Sequence, residues 1–311
     1  MIFSSKCCTK QQFFQAQMQH LGEQREAGSA GRKLPINAQM YRRVWMTGCT
    51  QMLLDAGSDV RKASNESETA LHYAARYGHR ACVSLLLDCI RIDLNARTMW
   101  GLTPLMLAAN SRSGEVALQL IGAGAAVTSR DRANKTVLHH TVRNDMLTLG
   151  QWLLELGADP DVVDSDGNSP LIDALVAGKQ EMVALLVRFG CRVRDVVGHA
   201  TMSGVYRWCT TLELAVHLGR TRAARLLYAA GCDFSQFLIP IEQANVACGL
   251  SASTSEWITR CSVHPRSLVD IVRVVIREAL VTRQQEKLNS LPLPPALITF
   301  LAFADEREFD D

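Results

Sequence analysis

Four stretches of the chain begin alike: TALHYAARYGH at Thr69, TPLMLAANS at Thr103, TVLHHTVRN at Thr136 and SPLIDALVAGK at Ser169. Their first residues stand 34, 33 and 33 positions apart, and a fifth stretch, TTLELAVHLGR at Thr210, follows after 41. A second marker keeps the same register 21 residues after each start, at Ile90, Gly124, Gly157, Gly190 and Gly231. Two markers in one register restrict the chain to a stack of similar units, none able to bury its apolar face alone. The longer step into the fifth unit predicts an insertion near 198–208.

The unit reads as two short helices. Thr or Ser at each start can accept an orphan backbone N–H and cap the first helix. Pro104 and Pro170 fall at the first helical position, where a missing N–H costs nothing. Small pairs, Ala74–Ala75 and Ala108–Ala109, allow close approach of neighbouring helices. Leu85–Leu86–Leu87, Leu153–Leu154 and Leu185–Leu186 supply the apolar stripe of a second helix, which Gly124, Gly157, Gly190 and Gly231 end. VWMTGCTQMLLDAGSDV carries the second-helix half of one more, degenerate unit: Leu53, Leu54 and Gly57 precede Leu86, Leu87 and Ile90 by 33 residues.

These residues resemble the ankyrin repeat, a β-turn followed by two helices with a period of 33, over roughly residues 35–235. About six units are expected, the first degenerate, forming one elongated solenoid over 34–235. Residues 1–33 are expected to be a flexible tail, and 236–263 a connector with short helices around Glu242–Ala247 and Thr254–Cys261. Composition narrows the function. With 33 Lys+Arg against 31 Asp+Glu, the net charge of +2 gives no global surplus for nucleic acid. No apolar run reaches membrane-spanning length, and Lys6 and Lys10 break up the start, so neither a membrane span nor a signal peptide is expected. Ten cysteines without a CxxC pair fit a reduced, cytoplasmic compartment, with nuclear presence compatible. Neither metal nor cofactor is expected, nor an obligate homo-oligomer.

Residues 264–301, HPRSLVDIVRVVIREALVTRQQEKLNSLPLPPALITFL, have a different grammar. Leu268, Ile271, Val272, Val275 and Ile276 recur at near-helical spacing to form one apolar face. Leu291-Pro292-Leu293-Pro294 must be extended, and Leu297, Phe300 and Leu301 return to helical spacing. PRSL followed by IREAL and LPLP resembles the SOCS box of ankyrin-repeat and SOCS-box proteins. The fold class expected from the two resemblances is an all-α repeat protein: an ankyrin solenoid with a C-terminal helical SOCS box over 264–311, ending in an acidic tail.

The resemblance implies function. In that family the first SOCS helix docks on elongin C of the elongin B/elongin C pair, which points here to Ser267, Leu268, Val272 and Ile276. The proline-bounded stretch selects cullin-5, which points to Leu291, Pro292, Leu293, Pro294 and Leu297. Members act as substrate-receptor subunits of a cullin-5–Rbx2 ubiquitin ligase, without a catalytic residue of their own. The family's cysteine is Val272 in this chain, a small apolar exchange that weakens the elongin inference. It keeps open the alternative of a scaffold that binds targets without recruiting an active ligase.

An unknown protein target is expected on the turns and first helices of the array. The candidates are Tyr73, Arg76, Tyr77, Arg97, Met99, Trp100, Asn110 and Arg143, with Tyr206, Arg207 and Trp208 from the insertion. Trp, Tyr and Arg dominate interface hot spots, which puts Trp100 and the insertion first. His72 and His139 are expected to bond neighbouring Thr and backbone groups rather than to act chemically, and His140 to face elsewhere. Cys82 is expected in the core, Trp152 to be structural, and Asp131, Asp164 and Asp166 to occupy turns.

Overall fold

The structure, a computed structural model, describes residues 50–51, 54–55, 59–89, 92–193, 196–200, 206–232, 252–263 and 275. Five turn–helix–helix units are laid side by side. Their helices are α1 Ala70–Arg76 and α2 Arg80–Leu87, α3 Pro104–Asn110 and α4 Gly114–Gly122, α5 Val137–Arg143 and α6 Leu147–Glu155, α7 Pro170–Ala177 and α8 Gln180–Arg188, then α9 Thr211–His217 and α10 Thr221–Ala229. First helices pack in one row (α1, α3, α5, α7, α9) and second helices in another (α2, α4, α6, α8, α10). Thr50, Gln51, Leu54 and Asp55 are helical ahead of the first full unit, and the tail at 1–33 lies outside the described residues.

The repeat residues have the placement that their period predicts. Leu71, Leu105, Leu138, Leu171 and Leu212, third in each unit, are all buried between helices. Each removes an aliphatic side chain from water, a contribution of about 1.5–3 kcal/mol. Ala74, Ala75, Ala108 and Ala109 are buried where the first-helix row is tightest. Thr103 Oγ1 accepts the Met106 N–H and Thr210 Oγ1 the Glu213 N–H, so the expected caps form there. Ser169 differs: its hydroxyl makes no cap bond and is buried without a hydrogen-bond partner, leaving Pro170 to set that helix start. Gly124, Gly157, Gly190 and Gly231 follow the second helices with positive φ, as expected.

The turns are tied to one another. Met99 N–H donates to Glu66 O (2.8 Å), Arg132 N–H to Trp100 O (3.0 Å) and Ser165 N–H to Ala133 O (2.9 Å). Within each turn one short polar side chain anchors the backbone: Ser64, Thr98 and Asp164 each accept two N–H groups, two and four residues on. Asp131 accepts from Lys135 N in the same way (2.8 Å). The expectation that Asp131, Asp164 and Asp166 belong to turns is met by this geometry.

Two elements fall outside the repeat pattern. The insertion is a hairpin, β1 Val196–Ala200 and β2 Tyr206–Thr210, paired antiparallel with Gly198 opposite Trp208 and Ala200 opposite Tyr206. The fold is the all-α repeat solenoid expected from the sequence, and the insertion adds to it this one local hairpin. β-branched and aromatic residues around a glycine-containing loop favour strands over a longer helical turn. After the fifth unit, α11 Ala252–Val263 contains the short helix expected around Thr254–Cys261, whereas Glu242–Ala247 lies outside the described residues.

Candidate protein-interaction site

The first helices are buried along most of their length, so the exposed candidate residues sit on the turns and at the ends of these helices. Trp100, at the tip of the turn before α3, is 57% exposed, and Met99 beside it and Tyr77 at the end of α1 are also exposed. Asn110 and Arg143, the last residues of α3 and α5, face solvent as well. Gly101 makes the Trp100 tip possible, because its φ of 77° is left-handed and a Cβ there would meet Arg132 N at 2.9 Å.

Three candidates have partners within the array: Tyr73 is buried, Arg76 half-buried and Arg97 exposed. Arg76 pairs with Glu68, whose side chain is almost wholly buried. Tyr73 is itself buried, with the Arg76 guanidinium 5.9 Å from its ring centre. Burial, and then its hydrogen bond to the Glu68 carboxylate, push the Tyr73 phenol up. The Arg97 guanidinium bonds Gly101 O and, across to the next turn, Arg130 O. Of the three, Arg97 remains on the surface while bonded to two turns. Tyr206, Arg207 and Trp208 lie on β2, and their side chains are outside the described residues.

The histidines are clips between units. His72 Nδ1 takes the Thr69 N–H at 3.1 Å, which leaves Nε2 as the proton carrier facing Ala96 O (3.0 Å) and Leu102 O (3.2 Å) of the next turn. His139 repeats the arrangement with Thr136 and Asn168. Burial lowers the pKa of both rings, that of His72 to about 4. His140 does face elsewhere: its Nε2 lies 3.1 Å from Asp131 Oδ2. The Asp131 carboxyl is held below the usual range: burial pushes it up, but hydrogen bonds from His140 and the Lys135 and Ala133 backbone outweigh that. Lys135 reaches buried Asp164 at 3.2 Å and Asp173 at 4.0 Å, and burial raises the Asp173 carboxyl. This paired cluster joins the third and fourth units. In the fifth unit fully buried Glu213 occupies the histidine position, 3.7 Å from His217 Nε2.

Cys82 is buried as expected, but Trp152 is not a core residue. It is 52% exposed on α6, with Leu147, Leu156 and, on α4, Leu118 also exposed on the second-helix row. Its place within a helical segment gave no sign of which side faces out. Among the described residues no group of three or more His, Cys, Asp or Glu could hold a metal, and no helix is long and apolar enough to cross a membrane.

Of the segment after α11 only Val275 is described; it is helical and 57% exposed. Ser267, Leu268, Val272, Ile276, Leu291, Pro292, Leu293, Pro294 and Leu297 lie outside the described residues. The exposed Val275 belongs to the apolar face read from the sequence around them.

Comparison with known proteins covers both parts of the chain. The family model for ankyrin repeats matches residues 44–131, 106–196 and 138–237, and that for the SOCS box matches 264–302. Ankyrin repeat and SOCS box protein 16 of Homo sapiens is 28% identical over 275 residues, 81% of this chain and 56% of that protein. That alignment is longer than the repeat array alone. The B-cell lymphoma 3 protein homolog of Mus musculus is 32% identical over 144 residues, 45% of this chain and 32% of that protein. Rabankyrin-5 of Homo sapiens is 29% identical over 154 residues, 48% of this chain and 13% of that protein. The chain thus spans about half or less of the length of these relatives.

Proposed function

The chain belongs to the ankyrin-repeat and SOCS-box family, and from that premise we propose that it is the substrate-receptor subunit of an elongin B/C–cullin-5–Rbx2 ubiquitin ligase. The array holds a target protein through Trp100, Met99, Tyr77, Arg97, Asn110 and Arg143, and through the 206–208 strand of the hairpin. The SOCS box hangs that target from elongin B and elongin C through Ser267, Leu268, Val272 and Ile276, and from cullin-5 through Leu291, Pro292, Leu293, Pro294 and Leu297. Bond formation takes place on a ubiquitin-conjugating enzyme brought by Rbx2. This chain contributes effective concentration and orientation, which make a target lysine a tethered reactant. The target is then degraded, and the assembly works in the cytoplasm.

The observation that carries this reading is the SOCS-box match over 264–302 following the ankyrin-repeat matches, with Val275 exposed on the apolar face read from the sequence. Its test is co-purification of the full chain with elongin B/C. Wild type should retain the pair, and Leu268→Asp, which puts a charge into an apolar contact, should lose it. Retention by the variant overturns the docking assignment.

Val272 favours one other reading, because a valine stands where the family has cysteine. In that case the chain is a scaffold that binds targets without recruiting an active ligase. Immunoprecipitation with quantified elongins and cullin-5, repeated with cullin neddylation blocked, separates the two. A receptor accumulates both cullin-5 and stabilised targets, whereas a scaffold accumulates targets without cullin-5.

A further inference from the structure

The α11 helix occupies a distinctive place. It packs on the last helix of the array, and its final residue, Val263, is followed at once by the SOCS-box match at 264. No linker residue separates the two. At 1.5 Å per residue this 12-residue helix is about 18 Å long and leads in sequence straight into the SOCS-box match.

Two adjacent side chains hold that seat. Ile258 is 1% exposed and belongs to the core of the repeat stack. The Trp257 ring stands edge-on to Tyr228 of α10, with centroids 5.8 Å apart and planes at 85°. The Arg225 guanidinium, one turn earlier on α10, lies 5.9 Å from the Trp257 ring centre. Neighbouring helical residues diverge by about 100° around the axis, so one anchor opposes lift and the pair also opposes rotation. Edge-to-face and cation–π contacts have directional preferences that simple apolar burial lacks. Glu256, Thr259 and Arg260 face solvent, with a Glu256–Arg260 pair at 3.3 Å, so the helix has one definite inner side.

We infer that Trp257 is a positioning residue: clamped by Tyr228 and Arg225, it fixes the orientation of the SOCS box relative to the target-holding face. The inference rests on the receptor reading for its consequence, since the clamp then sets the distance and angle at which a bound target meets the ubiquitin-charged enzyme. Aromatic register at this one seat selects which target lysines are reached.

The experiment measures the distance distribution between spin labels at Thr148 on α6 and Glu286 in the SOCS box. The labels are introduced through a genetically encoded amino acid that leaves the cysteines untouched. Measurements use the full chain, alone and with elongin B/C, alongside a two-residue Gly-Ser insertion after Val263 as the uncoupled reference. Wild type should give one narrow distribution and Trp257→Ala at least twice its width, approaching the insertion. Trp257→Phe, which keeps an edge for Tyr228, should restore most of the narrowness while unfolding midpoints stay together. Equal widths for wild type and Trp257→Ala overturn the inference, as does a Trp257→Phe distribution as broad as that of alanine. Should Trp257→Ala not yield folded protein, Tyr228→Leu removes the same contact from the other side and is judged by the same widths. Failure to bind elongin B/C removes the receptor reading, whereas the widths in the free chain still decide whether the clamp exists.

Discussion

His72 Nε2 stands 3.0 Å from the carbonyl oxygen of Ala96, so the imidazole of one unit is hydrogen-bonded to the turn of the next. With Nδ1 accepting from Thr69 N–H, the ring fits as a neutral donor–acceptor and has no good place for a second proton.

That geometry predicts acid sensitivity. Burial holds the His72 pKa down at about 4 against 6.5 for a free ring, although its two carbonyl bonds pull the other way. Between those values the unfolded chain binds the proton and the folded chain does not, so stability is present above pH 6.5 and is lost as pH falls towards 4. At 1.36 kcal/mol per pH unit the loss is on the order of 3 kcal/mol from His72, and His139 acts in the same direction. Urea unfolding at pH 7.0, 6.0 and 5.0 should show the decline, and His72→Gln, less stable at pH 7, should show a flatter one. Parallel pH profiles for the two proteins would rule out His72 as the source.

Trp100 and Gly101 are neighbours with opposite expected phenotypes. Trp100→Ala removes an exposed side chain and should move the unfolding free energy by less than about 0.5 kcal/mol while reducing target capture. Gly101→Ala forces a Cβ into left-handed backbone beside Arg132 N and should cost about 1–2 kcal/mol or more. Denaturation midpoints with quantitative mass spectrometry of co-purified proteins measure both. A large stability loss from Trp100→Ala would mark the indole as a packing residue.

The period made the repeat interior legible because one position recurs with one physical task. Leu71, Leu105, Leu138, Leu171 and Leu212 could be assigned to the core together, and His72 and His139 to inter-unit bonds. Partners could not be read in the same way. Tyr73, Arg76 and Arg97 have the residue types of a binding surface, yet Glu68 and the Arg130 carbonyl engage two of them, a fact of three-dimensional neighbourhood that no single position encodes. Trp152 failed for a related reason. Its repeat equivalents, Gln119 and Leu185, are half-buried and buried, so the column does not fix an outward side. Strand alternation around Gly198 was overshadowed by the surrounding helical period, and the insertion was located without its hairpin.

Glu68 and Arg76 offer a test of that hidden neighbourhood. Arg76→Ala strands a buried carboxylate that also accepts the Tyr73 hydroxyl, and should cost about 1–3 kcal/mol once the partial exposure of Arg76 is allowed for. Glu68→Gln should cost less, because a neutral amide tolerates burial without a counter-charge. In a double-mutant cycle the pair should be clearly non-additive. Strict additivity by urea unfolding would mean that the ion pair does not contribute to stability.

Pro292 and Pro294 test the two halves of the proposed docking segment separately. Each proline restricts its own φ and disfavours helical backbone at the residue before it, so the sequence predicts extended backbone at Leu291 and Leu293. Changing both prolines to alanine releases that restraint, and the partner must then order the segment on binding. On the receptor reading, cullin-5 recruitment should therefore fall by about tenfold, equivalent to ~1.4 kcal/mol, while elongin B/C, assigned to Leu268, remains bound. Leu268→Asp should instead lose elongin B/C, which the receptor reading assigns to that position. Titration of purified cullin-5 against the elongin-bound complexes measures the first effect, and pull-down of elongin B/C the second. Cullin-5 affinity unchanged by the double substitution would reject the role of the Leu-Pro-Leu-Pro stretch and leave elongin binding as the sole task of the SOCS box.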